Sequence, residues 1–100
     1  NATVIIASNS TVTLNTAAQG AGVYINAGTL NLYGYITTNT ATTNGGGIYN
    51  KSVGTVNLYG SCMISGNVAA VNTSPGIYNE ENGTLNNDNS INNPDGTEQG

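Results

Sequence analysis

The sequence predicts an all-β chain wound as a parallel β-solenoid. Three observations carry that reading: motifs that recur in fixed order, period-two alternation inside them, and almost no charge. The first motif is G-[V/I]-Y, at Gly22-Val23-Tyr24, Gly47-Ile48-Tyr49 and Gly76-Ile77-Tyr78. The second is G-T-[L/V]-N, at residues 28–31, 54–57 and 83–86, and its first two copies extend to G-T-x-N-L-Y-G. The third is [V/I]-x-x-N-x-A, at residues 12–17, 36–41 and 64–69. Recurrence at a period of a few tens of residues is the signature of a repeat architecture, in which each unit buries its apolar face only against its neighbours.

Taken in order, the elements read as follows. The opening "NATVII" puts Thr3 and Val4 in the column of Thr29/Leu30, Thr55/Val56 and Thr84/Leu85, so the chain begins with a partial copy of the repeat. Val4 and Ile6, Leu30 and Leu32, and Val56 and Leu58 alternate with polar residues, which is the pattern of a strand with one buried face. The third motif supplies a second strand whose inward column is Val12, Ile36 and Ile64, and G-[V/I]-Y supplies a third. Thr, Val, Ile and Tyr favour strands. No apolar stripe of helical period intervenes, and no segment between strands is long enough for a crossover helix. Copies are offset by 24 to 29 residues. The expected architecture is therefore about four coils (1–19, 20–44, 45–73 and 74–93), each with three short strands. Together they form one domain over 1–93, followed by a polar, acidic tail at 94–100.

Stacking explains the composition. Coils ~4.8 Å apart place each residue above its own counterpart. Apolar columns such as Val4, Leu30, Val56 and Leu85 then build a core, while Asn15, Asn39 and Asn67 form a ladder of amides at a turn. A charged column would set like charges against each other. Charged residues are accordingly only 6% of the chain, and residues 1–79 carry a single one, Lys51. All five acids, Glu80, Glu81, Asp88, Asp95 and Glu98, come later.

The same composition excludes several functions. A nucleic-acid partner needs a Lys/Arg patch to displace counterions, and here Lys and Arg together number one. No apolar run approaches the ~20 residues of a membrane-spanning helix. There is no His, and the single Cys62 has no base to activate it, so nucleophilic catalysis of that kind is excluded and the chain is expected not to be an enzyme. No cofactor or metal site is expected: the oxygen-rich end lacks both EF-hand and calcium-solenoid spacing. Cys62, inside "CMI", reads as a buried, inert thiol.

What remains is surface. Tyr24, Tyr49 and Tyr78 share one column and Tyr33 and Tyr59 another. If Val23, Ile48 and Ile77 face inward, the first tyrosine column faces out, where it either stiffens the stack or meets a sugar or another chain. Thr3, Thr29, Thr55 and Thr84 form a further candidate surface column. The residue two positions on is Ile5, Asn31, Asn57 or Asn86, so the paired-threonine pattern of an ice-binding face is missing.

The stretch "GGGIYN…GTVNLYGSCMISGN" resembles the repeats of right-handed parallel β-helix surface proteins in the broad pectate-lyase-like superfamily. In style it is similar to the passenger repeats of polymorphic outer-membrane proteins, which pair G-G-A-[I/L/V] with F-x-x-N. Gly45-Gly46-Gly47-Ile48 and Gly20-Ala21-Gly22-Val23 correspond to the first element; Ile36 to Asn39 and Ile64 to Asn67 correspond to the second, with Ile in the Phe position. The resemblance implies right-handed coiling and an extracellular or cell-surface setting, in adhesin-like proteins. No basic-then-apolar leader opens the sequence, so in the secreted setting that the resemblance implies this is the mature form, its signal peptide already removed, or an excised part. The expected function is structural: a self-assembling subunit of a filament, sheath or surface layer whose partner is itself, through edge or end-to-end stacking. The alternative is an adhesin-like module that recognises a glycan or a host surface.

Overall fold

A computed structural model describes residues 2–70 and 74–87, together with the backbone of residues 97–99. Each turn is built of four strands. The first turn comprises β1 (Thr3–Ile6), β2 (Thr11–Thr13), β3 (Thr16–Ala17) and β4 (Val23–Asn26). The second comprises β5 (Thr29–Leu32), β6 (Tyr35–Thr37), β7 (Thr40–Ala41) and β8 (Ile48–Lys51). The third comprises β9 (Thr55–Leu58), β10 (Met63–Ser65), β11 (Val68–Ala69) and β12 (Ile77–Asn79). Two strands of a fourth follow, β13 (Thr84–Asn87) and β14 (Thr97–Gln99).

Corresponding strands stack into four parallel sheets, in the orders β1-β5-β9-β13, β2-β6-β10, β3-β7-β11 and β4-β8-β12-β14. This is an all-β, right-handed parallel β-solenoid of about three turns, with no helix among the described residues. In the first sheet Val4, Leu30, Val56 and Leu85 align residue for residue, as do Ile6, Leu32 and Leu58; in the second, Val12, Ile36 and Ile64 align. The central members Leu30, Leu32, Ile36 and Val56 are fully buried, and with Ile48, Leu58, Ile64 and Ile77 they form the main core. At roughly 1.5–3 kcal/mol per fully buried aliphatic side chain, this column set is the principal stabilising term.

The fourth strand per turn is a departure from the three read in the sequence. Each third motif bends in its middle, because the residue before its Asn lies in the left-handed region: Leu14 at φ 62°, Thr38 at φ 57° and Gly66 at φ 67°. What reads as one extended piece is thus two strands meeting at a corner. The short strand after the corner turns Ala17, Ala41 and Ala69 inward, where with Ala21 they make a second, small-residue cluster. The glycine of G-[V/I]-Y has a separate cause. A Cβ on Gly22 would lie 2.5 Å from the Gly47 carbonyl oxygen, and one on Gly47 2.7 Å from that of Gly76, so stacked backbones touch there.

Two further differences concern the later turns. The insertion Ser61-Cys62 bulges outward at Ser61 and buries the Cys62 side chain against the core. Within the segment expected as a tail, Thr97–Gln99 pairs with β12 as an added parallel strand. Ile91, placed by the motif alignment in the Val12–Ile36–Ile64 column, lies outside the described residues.

Candidate functional site

The outward columns are where chemistry is possible. In the fourth sheet Val23, Ile48 and Ile77 point inward, which turns Tyr24, Tyr49 and Tyr78 outward as a stack: ring centroids are 5.3 Å apart for Tyr24–Tyr49 and 5.0 Å for Tyr49–Tyr78, with interplanar angles of 4° and 20°. The stack hides its own middle. Tyr49 is only 6% exposed while Tyr24, at the end, is 44% exposed. Tyr33 and Tyr59 stack in the same way at 4.9 Å, and with Tyr35 and Met63 they leave a neutral, aromatic strip on the outside of the neighbouring corner.

Three amide ladders run alongside. Asn15 Nδ2 donates to Asn39 Oδ1 (2.9 Å), and Asn39 Nδ2 donates to Asn67 Oδ1 (3.0 Å) and to the carbonyls of Val12 and Thr37 (3.1 Å each). Asn39 is wholly buried, so this ladder satisfies the carbonyls at the corner that the left-handed residue creates. The other two ladders went unread in the sequence. On the outer face of the first sheet, Asn86 Nδ2 donates to Asn57 Oδ1 and Asn57 Nδ2 to Asn31 Oδ1, both at 2.8 Å, beside the column of Thr3, Thr29, Thr55 and Thr84. Inside the fourth sheet, Asn50 Nδ2 donates to Asn79 Oδ1 (2.6 Å) and to the Gly54 carbonyl (2.9 Å). The signal for this ladder was present: Asn50 and Asn79 each lie two residues after an inward Ile, so period-two alternation carries them inside.

One acid is built into the structure. Glu80 accepts the Tyr49 hydroxyl (2.6 Å) and the backbone N–H of Ser52 (2.7 Å), fixing a turn in which Ser52 has φ 65°. The Tyr49 hydrogen bond, the Ser52 N–H and the charge of Lys51 hold the Glu80 carboxyl below its ordinary range. Burial, then the hydrogen bond to Glu80 and its negative charge, push the Tyr49 hydroxyl well above the usual tyrosine value. Glu80 occurs in one copy only, so no repeat pattern points to it.

The ends of the solenoid differ from its flank. Among the described residues no strand pairs with the outer edges of β1, β2, β3 and β4. Here the inward column terminates at Val4, 47% exposed, though its next member Leu30 is fully buried. Ile5 (65% exposed) stands where later turns have Asn, and Leu14 (79% exposed) where they have Thr or Gly. A cleft at this edge is lined by Val4, Val23, Tyr24 and Ile25. The open edge also carries unused backbone groups. Thr29 and Tyr33 donate to the carbonyls of Ala2 and Ile6, so alternate residues of β1 face β5, and Thr3 and Ile5 turn their N–H and C=O groups outward. The first turn and the acids are separated: residues 2–26 hold no ionisable acid or base other than Tyr24, and Glu80 and Glu81 come late in the chain. Among the described residues no group of three or more His, Cys, Asp or Glu gathers. No known protein family, curated protein or solved structure matches this chain.

Proposed function

We propose that this chain is a non-catalytic structural unit, an extracellular β-solenoid that assembles with copies of itself into a filament, sheath or surface layer. One observation carries the reading: among the described residues no strand covers the outer edges of β1 to β4, and the flank is nearly free of charge. Val4, whose counterpart Leu30 one turn later is fully buried, faces water there. A bare strand edge is a template for another strand, and the usual safeguards against that, an edge lysine or proline, are missing from β1 to β4. Low charge along the flank leaves little repulsion to hold neighbouring molecules apart.

The aromatic strip of Tyr33, Tyr35, Tyr59 and Met63 favours a second reading, in keeping with the adhesin-like resemblance of the repeats: a neutral surface that holds a neutral glycan. Sedimentation velocity and electron microscopy of the purified chain separate the two. Assembly predicts concentration-dependent polymers that the double substitution Thr3→Lys/Ile5→Lys abolishes. A chain that stays monomeric across the concentration range defeats the structural reading and leaves the glycan surface to be tested by binding to uncharged polysaccharide.

A further inference from the structure

We infer that the flank carries a sugar-binding step between the first and second turns, floored by Ile5 and Ala7 and walled by Asn31 and the open face of Tyr33. It takes one ring of a neutral β-linked polysaccharide. This rests on the glycan reading of the aromatic strip and names the place and the class of sugar. Two outward ladders of the solenoid break at this level. Asn31 and Tyr33 lie two residues apart on the outside of the second turn, and each is continued in the third turn, by Asn57 and Tyr59. Neither is continued in the first. The register sets Ile5 against Asn31, and Ala7, the residue after the Ile6–Leu32 pair, falls opposite Tyr33. An amide and an aromatic ring thus overhang an aliphatic side chain and a methyl group. Ile5 is 65% exposed and Tyr33 41%.

The break leaves two groups unused. The amide ladder runs one way: Asn86 Nδ2 donates to Asn57 Oδ1 and Asn57 Nδ2 to Asn31 Oδ1, so Asn31 Nδ2 is turned toward the first turn. Ile5 offers no side-chain acceptor there, and Asn31 Nδ2 has no partner among the described residues. Tyr33 stacks one face on Tyr59, with centroids 4.9 Å apart and planes at 17°, and its other face looks toward Ala7.

The occupant must match a flat aromatic face, an aliphatic floor and an N–H donor, and it must be uncharged. No side chain in residues 1–50 carries a charge, so an ion seated on Tyr33 and Ile5 would give up water without gaining a counter-charge. A pyranose with equatorial substituents meets every requirement. Its C–H bonds cover the face of an aromatic ring, and the hydroxyl oxygens around its edge accept an N–H. It takes the place that a first-turn tyrosine would have in the stack. An axial hydroxyl would stand between sugar and ring, which selects a β-1,4-linked glucan over a β-1,4-linked mannan.

The test fills the step. Ala7→Tyr adds the missing ring beside Tyr33, and Ile5→Asn adds the missing amide beside Asn31. Both continue ladders that the solenoid already uses, so the double variant is expected to keep the β-sheet circular dichroism of the parent. Cellohexaose and mannohexaose are titrated into parent and variant, with binding followed by NMR shifts of the Asn31 side-chain amide and the Tyr33 ring. The parent is expected to bind cellohexaose about tenfold more tightly than mannohexaose, and the double variant to bind it about tenfold more weakly than the parent does. Tyr33→Ala removes the same contact and is expected to show the same loss if the double variant fails to fold. Equal binding of cellohexaose by parent and filled variant, or equal binding of the two hexasaccharides by the parent, overturns the step and leaves the glycan reading of the strip standing. A parent that binds neither hexasaccharide overturns the step, and one that also ignores every uncharged polysaccharide overturns the glycan reading with it.

Discussion

Replacing Asn39 with alanine tests whether the amide ladder holds the corner of the solenoid. Asn39 is fully buried and central. Its Oδ1 receives the Asn15 side chain and backbone N–H at 2.9 and 3.1 Å; its Nδ2 serves Asn67 and the carbonyls of Val12 and Thr37. Truncation removes these bonds at once and leaves the Val12 and Thr37 carbonyls without their amide donor. A net hydrogen bond contributes about 1 kcal/mol, and an orphaned buried group costs about 1–3 kcal/mol. The expected loss is therefore roughly 3–5 kcal/mol, a large share of the ~5–15 kcal/mol that holds a small domain together. Asn15→Ala is the control. Asn15 is exposed and sits at the ladder's end, so its truncation is expected to cost only about 1 kcal/mol. Urea unfolding followed by far-ultraviolet circular dichroism measures both. Equal losses for the two variants, within about 0.5 kcal/mol, would refute the claim that the buried amide, rather than stacking in general, holds the corner.

Other outcomes follow from the same geometry. Leu58→Asp puts a carboxylate into the fully apolar core with no cation near, costs several kcal/mol, and should leave the chain unfolded at neutral pH by circular dichroism. Leu14→Gly removes a side chain from a left-handed, solvent-exposed position and should stabilise the free chain by about 0.5–1 kcal/mol in urea unfolding. The Glu80 carboxyl is held below its ordinary value, so its contribution is present at neutral pH and is lost as pH falls below about 4.5 through the folded value; Glu80→Gln should flatten stability against pH there. Tyr49 is shifted the other way, so its contribution is complete below pH 10 and declines as pH rises further. In an ultraviolet titration its phenolate should form well above the usual tyrosine value, and Tyr49→Phe should remove that delayed step.

Much of this molecule is legible in its sequence because a repeat reports each position several times. Val4, Leu30, Val56 and Leu85 disclose an inward column by appearing at one motif position in four copies, and the register of the first sheet follows directly. Corners are harder to see. The bend at Leu14, Thr38 and Gly66 is carried by backbone dihedrals, and only Gly66 belongs to a residue type that announces a left-handed conformation. The motif therefore read as one strand where two exist. The inward amides Asn50 and Asn79 follow an inward Ile by two residues, yet asparagine is the commonest residue of the chain, and that abundance masks the alternation that carries these two inside. Glu80 was invisible for the opposite reason, since a side chain that occurs once leaves no pattern. Stacking is equally hidden from the sequence: Tyr49 points outward, yet its stacked neighbours and Glu80 cover it, so the exposed aromatic surface is Tyr24 at the end and the strip around Tyr33 and Tyr35.

Fibre diffraction from aligned assemblies of the parent chain tests the structural reading most directly. Strands in the solenoid run across the stacking axis, so end-on growth repeats their spacing along the fibre. End-on growth should give a reflection at about 4.8 Å on the meridian, from a spacing that continues from turn to turn and from molecule to molecule. The same reflection on the equator would mean that molecules associate through their flanks and that the open first turn is not the joint.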